Sequence, residues 1–251
     1  MTIPKVLVHG VPESSAIWEP MLERLADLGH DQVTLLSPPG FGAPLPTNFA
    51  ARLYDYRDWL IDELSRFNGP VDLVGHDFGG GHVINVAMTR PDLLHSWATD
   101  VIGVMEPDYV WHPLAQIWQT PGEGERNVAE FFEAPASVRA ATMVEWGFPE
   151  PVASKVATSQ DVSMGRAILT LYRSAIQPVT AQMGEGLASA AVRPGLAVIA
   201  SKDVAVGSVE QHRRAAARAR ARTETLEGLG HWWMLEDPDR GARMLADFWG
   251  R

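Results

Sequence analysis

The sequence predicts an α/β fold in which helices cover a mostly parallel sheet of about six strands. Short runs rich in apolar and β-branched residues alternate with segments whose apolar residues recur at helical spacing. Two of the runs, Val71–Val74 and Leu196–Ala200, are almost unbroken apolar stretches. Strands that are buried on both faces have this pattern, which favours parallel pairing. Together these observations predict a doubly wound core.

The predicted strands are the apolar runs that end in glycine or polar turns. In chain order they are Lys5–His9, Gln32–Ser37, Val71–His76, Ser96–Gly103, Leu196–Ser201 and Thr223–Leu226. The predicted helices separate these strands, except that the last helix closes the chain. In chain order they are Ala16–Leu28, Ala50–Phe67, Gly79–Met88 and Pro238–Trp249. The first two carry a clear apolar face, formed by Ile17, Met21, Leu25 and Leu28 in one and by Leu53, Tyr56, Leu60 and Leu64 in the other.

The alternation is interrupted between about residues 104 and 190. This stretch is rich in aromatic residues and shows helical patterns without intervening strands. We therefore assign residues 1–103 and 190–251 to the core and residues 104–189 to a helical cap. Open α/β sheets bind ligands at the carboxyl ends of their strands, so we expect the cap to cover that edge.

The composition argues against several classes of function. The chain has 251 residues and a formal net charge of −10, whereas phosphate backbones are bound by basic surfaces, so we expect no nucleic-acid partner. No run approaches the ~18 apolar residues that cross a bilayer, and the first residues show no secretory leader. We expect a cytoplasmic protein without membrane contact. The absence of cysteine excludes disulfides and a thiolate nucleophile.

One basic segment departs from this acidic balance. Its five arginines are Arg213, Arg214, Arg218, Arg220 and Arg222. Three of them, Arg214, Arg218 and Arg222, are spaced four residues apart and would form one stripe on a helix. We expect this stripe to be a solvated helix face.

The segment around Asp77 has the spacing of a nucleophile elbow. An apolar strand runs into Gly75-His76-Asp77-Phe78-Gly79 and then into a helix, so a sharp turn presents one side chain at the strand end. The glycines permit the tight turn, and Asp77 occupies the position where a serine usually stands. Unpaired N–H groups at the start of the helix favour an ionised carboxylate there. Asp77 is therefore the candidate nucleophile.

Two further residues complete the order nucleophile, acid, histidine. Asp203 follows the strand Leu196–Ser201, and His231 follows the last strand. This is the chain order of the catalytic triad in α/β hydrolases. Asp100 follows the strand after that of Asp77 and is a rival for the acid. We favour Asp203 because it follows the penultimate strand.

The loop after the first strand supplies a fourth part of the candidate site. The strand ends in His9-Gly10, and the following backbone can turn toward Asp77, so we expect the N–H groups of Val11 and Phe78 to form an oxyanion hole. The three histidines near the turns, His9, His76 and His82, fall on separate elements. We expect them to support the loops, and we expect no metal and no cofactor.

These motifs resemble those of the epoxide hydrolase and haloalkane dehalogenase branch of the α/β-hydrolase superfamily, whose members use an aspartate nucleophile. The segment His9–Ser14 is similar to the His-Gly-x-Pro motif of epoxide hydrolases, whose proline is usually cis. The segment Gly75–Gly80 is similar to their Gly-His-Asp-Trp-Gly-Gly, and Asp203 and His231 match their acid and base. The resemblance implies an α/β-hydrolase fold with a helical cap.

The resemblance also suggests residues that bind the substrate. Epoxide hydrolases of this family hold the epoxide oxygen with two cap tyrosines, and Tyr172 matches the second. The chain has no tyrosine where the first would fall, and Tyr109 is the nearest substitute. Haloalkane dehalogenases bind halide with a tryptophan after the nucleophile, where this chain has Phe78. The candidate substrate-binding residues are Tyr172, Tyr109, Trp111 and Trp118.

An aspartate nucleophile restricts the type of reaction. Attack of a carboxylate on an ester carbonyl would give an anhydride, whereas attack on a saturated carbon gives an alkyl ester that water can clear. We therefore expect Asp77 to open an epoxide and His231 to activate the water that clears the ester. The alternatives are a dehalogenase that acts on a small organic halide and a non-catalytic ligand-binding homologue. The expected partner is a small, largely apolar substrate, and the sequence leaves a homo-oligomer open.

Overall fold

Six strands form one sheet in which every neighbouring pair is parallel, with the strand order β2-β1-β3-β4-β5-β6. The structure is a computed structural model that describes residues 3–250. The strands are Lys5–Val8 (β1), Val33–Leu36 (β2), Val71–Gly75 (β3), Leu94–Thr99 (β4), Gly195–Ala200 (β5) and Arg222–Leu226 (β6). The predicted parallel sheet of about six strands is therefore confirmed.

The α-helices of the described residues fall into those that join the other strands or follow β6 and those of the long connection between β4 and β5. The first group is Glu19–Asp27 (α1), Leu53–Leu64 (α2), Phe78–Thr89 (α3), Val209–Arg218 (α10), Trp233–Glu236 (α11) and Pro238–Trp249 (α12). The second group is Pro113–Gln119 (α4), Glu123–Glu133 (α5), Ala136–Glu145 (α6), Glu150–Ser159 (α7), Val162–Ser174 (α8) and Val179–Gly184 (α9). The assignment of residues 104–189 to a separate cap stays a prediction, as does the division of the remaining chain.

The differences from the predicted element positions have local causes. The strand predicted over Ser96–Gly103 ends at Thr99, because Ile102–Met105 form a 3-10 turn. The first helix begins at Glu19, because Ser15–Trp18 form another such turn and a proline stands in the first turn of the helix. As a result, the carboxyl group of Asp100 lies directly beyond the end of β4.

The arginine stripe is exposed at Arg214 and Arg218, as expected of a solvated helix face, but it is shorter than predicted and its side chains are paired. The helix α10 ends at Arg218, and Arg222 lies in β6. The buried carboxylate of Glu106 accepts hydrogen bonds from Arg214 Nε at 2.8 Å and from Arg218 Nη2 at 2.7 Å. Arg214 also donates to Asp108, at 2.6 Å. These arginines therefore tie α10 to the segment that follows β4.

No helix between residues 3 and 250 is both long and apolar enough to cross a membrane. The expectation that the chain starts without a leader concerns a segment that includes Met1 and Thr2. These two residues, and Arg251, lie outside the described residues.

The centre of the sheet is packed around a buried tryptophan. Trp97 on β4 is fully buried, and its ring lies against Gly195, the first residue of the neighbouring strand β5. A β-carbon built on Gly195 would lie 2.1 Å from Cζ2 of Trp97. The Trp97 indole Nε1 donates to the carbonyl oxygen of Ala190 at 3.1 Å, which holds the ring in place. The ring therefore occupies the space that any side chain at residue 195 would need.

We predict that Gly195→Ala lowers the free energy of unfolding by about 1–3 kcal/mol, because the added methyl group overlaps a ring that cannot move freely. Gly81→Ala is the matched control, since a β-carbon on Gly81 in α3 meets no atom within 4 Å. That change should raise the free energy of unfolding by up to about 1 kcal/mol through helix propensity. Chemical denaturation measures both, and equal effects of the two variants would contradict the packing argument.

Candidate active site

Asp77 stands on a strained turn between β3 and α3. Its backbone angles are φ 50° and ψ −132°, a combination that non-glycine residues rarely adopt. Such residues cost about 1–3 kcal/mol and persist where the surrounding structure holds them, often at functional sites. The predicted nucleophile elbow therefore has the backbone geometry that its sequence suggested.

The side chain of Asp77 meets the loop that follows β1. The N–H of Val11 donates to Oδ1 of Asp77 at 2.9 Å. This approach requires glycine at residue 10, because a β-carbon there would lie 2.3 Å from Cβ and 2.4 Å from Oδ1 of Asp77. The Val11–Pro12 peptide bond is cis, as the resemblance implied. Val11 thus reaches Asp77 as predicted, and its role as an oxyanion donor stays a prediction.

Asp203 and His231 pair beside Asp77. His231 Nδ1 lies 2.7 Å from Oδ2 of Asp203, and His231 Nε2 lies 3.8 Å from Oδ2 of Asp77. The second oxygen of Asp203 accepts from the N–H of Ala205 at 2.8 Å, so the carboxylate is held on both sides. The structure therefore brings together the three residues that the chain order had grouped.

The charges in this group support one another. Burial disfavours the charged form of His231, but the charge and hydrogen bond of Asp203 outweigh it and raise the pKa of His231 to about 9. Burial would raise the pKa of Asp203, but His231 holds it below its ordinary value. Burial raises the pKa of Asp77, although the charges of His231 and His76 and the N–H of Phe78 oppose the shift. Asp203 and His231 are therefore an ion pair at neutral pH.

Asp100 contacts His76, whereas the acid of the predicted triad would have to contact His231. Its Oδ2 lies 2.5 Å from Nδ1 of His76 and accepts from Trp233 Nε1 at 2.8 Å, while its Oδ1 accepts from the N–H of Asp77 at 3.0 Å. Asp100 thus supports the turn that carries Asp77. The acid that contacts His231 is Asp203.

Sequence reasoning missed the importance of Glu13. This residue is fully buried, and its carboxylate lies 3.2 Å from Nε2 of His76 and accepts from the N–H of Gly10 at 3.1 Å and from Trp232 Nε1. Burial would raise the pKa of Glu13, but His76 dominates and lowers it to about 2. An acidic residue directly after Val11-Pro12, in the loop that follows β1, was the available signal.

His76 forms the centre of a second charged group behind the first. Burial disfavours its charge, but Asp100 and Glu13 on its two sides hold the pKa of His76 well above its ordinary value. The ring centroids of His76 and His231 are 4.7 Å apart. The charge of His76 therefore limits the rise in the pKa of His231.

The three histidines considered for a metal have different partners. His9 contacts Ser37 and the carbonyl of Gly10, while His82 stacks on Tyr56 with ring centroids 5.1 Å apart. A different trio, Glu13, His76 and His231, has one ligand-type atom each within 4.8 Å of the others. Both nitrogens of His76 and one nitrogen of His231 are already paired with carboxylates. Hydrogen bonds between described residues therefore account for this cluster.

A cavity of about 410 Å³ opens above Asp77. Its lining is mainly apolar and aromatic, and it includes Tyr172, Trp111 and Trp118, three of the four residues proposed to bind substrate. Trp118 Nε1 donates to Oδ1 of Asn127 at 2.7 Å, so its N–H is already used. The lining residues that sequence reasoning missed include His112, Trp146, Lys202 and Trp232.

Tyr109, the fourth residue, is not among those that line the cavity. It is buried, and its hydroxyl donates to the carbonyl oxygen of Ala205 at 2.6 Å. Burial also raises the pKa of Tyr109 above its ordinary value, which keeps the phenol protonated. The phenol therefore braces the loop after Asp203, and we do not retain Tyr109 as a substrate-binding candidate.

Comparison with known proteins places the chain in a family. The model of the alpha/beta hydrolase family matches residues 6–244, so the chain belongs to this family. The predicted α/β-hydrolase fold is confirmed, and the protein is a hydrolase of this family. This match identifies the family and does not distinguish its branches. The assignment to the branch with an aspartate nucleophile therefore stays a prediction.

Individual relatives show the breadth of the family. Over 96 residues, or 38% of this chain, the sequence is 38% identical to (E)-2-((N-methylformamido)methylene)succinate hydrolase from Acinetobacter baylyi, and the match spans 36% of that protein. The structure of E-2-(acetamidomethylene)succinate hydrolase is similar at a TM-score of 0.75 and 18% identity, covering 99% of this chain and 92% of that one. The structure of a haloalkane dehalogenase from Bradyrhizobium elkani is similar at a TM-score of 0.71 and 23% identity, and the match covers 99% of this chain and 90% of that one. At these identities the structural similarity shows the fold.

We predict that Asp203→Asn lowers the pKa of His231 from about 9 toward its ordinary value of about 6.5, because the largest group that favours the imidazolium is lost. NMR titration of the His231 ring measures this change. A comparable substitution in a serine-protease triad costs about 10⁴ in kcat, and we expect a loss of up to that size here. Asp100→Asn is the control, since Asp100 contacts His76 and should leave the pKa of His231 raised. The reverse pattern would make Asp100 the partner of the base.

Proposed function

We propose that the protein hydrolyses an epoxide through an alkyl ester of Asp77. The observation that carries the proposal is the unequal environment of the two Asp77 oxygens. Oδ1 accepts the N–H of Val11, whereas Oδ2 lies 3.8 Å from His231 Nε2 and pairs with no closer donor among the described residues. Oδ2 is therefore the oxygen available for attack on a substrate carbon.

In the first step, Oδ2 forms a bond to the epoxide carbon and the carbon–oxygen bond of the ring breaks. The oxygen that leaves is an alkoxide, which needs a proton donor. Tyr172 lines the cavity, and burial raises the pKa of its phenol, so the hydroxyl stays protonated until an alkoxide is formed. Its hydroxyl has no hydrogen-bond partner within residues 3–250. Tyr172 is thus placed to donate.

Formation of the ester converts His231 into a base. In the free protein the charge of Asp77 is one of the groups that favour the imidazolium. Esterification removes this charge, so the pKa of His231 falls and its proton is released to restore the phenol. The balance is complete, because one proton leaves His231 as one proton reaches the alkoxide.

In the second step, His231 activates a water molecule that attacks Cγ of Asp77. Oδ1, which already accepts the N–H of Val11, becomes the oxyanion, and the same hydrogen bond stabilises its growing charge. As the intermediate collapses, the bond between Cγ and Oδ2 breaks and His231 gives the first water proton to Oδ2, which leaves as a hydroxyl of the diol. The second water proton passes from the new carboxyl group of Asp77 to His231 and restores the starting charges. Asp203 holds the ring of His231 in place throughout.

A dehalogenase is the second candidate, and Trp111 is the observation that favours it. The indole Nε1 of Trp111 is buried without a hydrogen-bond partner among the described residues, and the side chain lines the cavity. An indole N–H suits a halide ion. The alkyl ester of Asp77 and its hydrolysis would be the same for this substrate class.

The named relatives suggest a third class of substrate. Two of them are hydrolases of a formamidomethylene or acetamidomethylene succinate by name. Attack of Asp77 on an acyl carbon would give an anhydride in place of a stable alkyl ester. We therefore do not extend these substrates to this chain.

We predict that His231→Gln accumulates a covalent adduct on Asp77, because the ester forms but no base activates water against it. Incubation with an epoxide should raise the intact mass by the mass of the epoxide, and with a bromoalkane by the mass of the alkyl group less one hydrogen. The control Asp77→Asn should show no early adduct. A label found on another residue after peptide mapping would refute the mechanism.

We predict that Tyr172→Phe slows alkylation by an epoxide about 10²-fold or more, and leaves alkylation by a bromoalkane almost unchanged. The reason is that an alkoxide is far more basic than bromide and depends on the phenol. Single-turnover alkylation with both substrates measures the effect, and Tyr109→Phe is the control because its hydroxyl is bound to Ala205. Wild-type activity on the bromide alone, indifferent to Tyr172→Phe, would favour the dehalogenase.

A further inference from the structure

His112 is the residue immediately before α4, and its side chain caps that helix. Its backbone is extended, with φ −61° and ψ 158°. Nδ1 of the ring accepts a hydrogen bond from the N–H of Ala115 at 3.2 Å, which satisfies one of the free donors of the first turn. This bond fixes the orientation of the imidazole relative to the helix.

The capping bond also determines where the ring carries its hydrogen. A ring nitrogen that accepts a hydrogen bond bears no hydrogen, so the neutral ring of His112 is protonated at Nε2. Burial lowers the pKa of His112 to about 4, and the charge of His231 adds to this effect. The ring is therefore neutral at neutral pH, with an N–H donor at Nε2.

This donor belongs to the same part of the cavity lining as Tyr172. His112 lines the cavity, and its ring centroid lies 6.2 Å from that of Tyr172 with the planes at 87°. No residue between 3 and 250 pairs with Nε2 of His112 or with the hydroxyl of Tyr172. Tyr109, in contrast, has already committed its hydroxyl to Ala205. The connection between β4 and β5 thus offers two neutral donors to the cavity, one from each ring.

We propose that His112 and Tyr172 form a two-donor site for the oxygen that leaves the substrate carbon. His112 takes over the role that the resemblance gives to a first cap tyrosine. The inference rests on the proposed epoxide hydrolysis and names the second group that holds the leaving oxygen.

The chemistry at this site follows from the two donors. As Oδ2 of Asp77 bonds to the carbon, the electron pair of the breaking carbon–oxygen bond moves onto the oxygen. That oxygen accepts hydrogen bonds from Nε2–H of His112 and from the phenol of Tyr172. The phenol transfers its proton, whereas His112 keeps its own and stabilises the charge. Because both donors are uncharged, the site also fits a neutral acceptor such as a carbonyl oxygen.

The substitution His112→Asn separates the donor from the helix cap. Asparagine is among the preferred capping residues, so its amide oxygen can accept from the N–H of Ala115. Its side chain is shorter and lacks Nε2, so the donor to the cavity is lost. His112→Phe is the second variant, since it keeps a ring but removes both the cap and the donor. If His112 only caps α4, that role is retained in His112→Asn and lost in His112→Phe.

We predict that His112→Asn slows single-turnover alkylation by styrene oxide about 10²-fold, as is typical for the loss of one oxyanion donor. Alkylation by (2-bromoethyl)benzene, which has the same carbon skeleton and a leaving group that needs no proton, should change little. Equal slowing with both substrates, or a loss in His112→Phe only, would overturn the proposal in favour of a structural cap.

Two measurements on the unreacted protein distinguish failure of this proposal from failure of the proposed function. ¹⁵N NMR of wild-type His112 should show the hydrogen on Nε2 at neutral pH. Phenylacetamide, an unreactive acceptor, should bind about tenfold more weakly to His112→Asn than to the wild type. If both results are obtained and styrene oxide is not opened, the donor pair stands and epoxide hydrolysis fails. A hydrogen on Nδ1, or unchanged binding of phenylacetamide, overturns the donor pair.

Discussion

The hydrogen bond from the N–H of Val11 to Oδ1 of Asp77 is the contact on which the site depends. It requires the loop after β1 to lie against the turn after β3, which the neighbouring positions of these strands and the bare backbone of Gly10 allow. It also makes the two oxygens of one carboxylate different, so that Oδ2 is free while Oδ1 is already held. In the proposed reaction, this difference makes Oδ1 the oxyanion of the second step.

The buried charges form two groups that share a boundary. His231 lies between Asp203 and Asp77, and His76 lies between Asp100 and Glu13, so each imidazolium faces two carboxylates. In the proposed reaction the total charge stays constant, because His231 loses its positive charge when Asp77 loses its negative one. A low-dielectric interior penalises net changes of charge, and this arrangement avoids one. The charge of His76, 4.7 Å away between ring centroids, favours release of the proton.

The residues that were predictable from sequence lie at the ends of strands. Asp77, Asp203 and His231 each follow a predicted strand, and the carboxyl ends of parallel strands meet at one edge of the sheet. The partnership of Glu13 with His76 was not predictable, because it joins residues 63 positions apart whose types have no fixed spacing. Tyr109 was misplaced for a similar reason, since only the fold brings its hydroxyl to Ala205. The capping of α4 by His112 could have been predicted, because the next residue, Pro113, is of the type preferred at the first position of a helix.

The most direct test of the account follows the oxygen atoms through one turnover. A single turnover of the wild-type protein with excess enzyme over styrene oxide in H₂¹⁸O should give a diol whose new oxygen is unlabelled, because it comes from Oδ2 of Asp77. The peptide that contains Asp77 should gain one ¹⁸O, since water attacks Cγ. Label in the diol after the first turnover, with none in that peptide, would show that water attacks the substrate directly and would contradict the ester of Asp77.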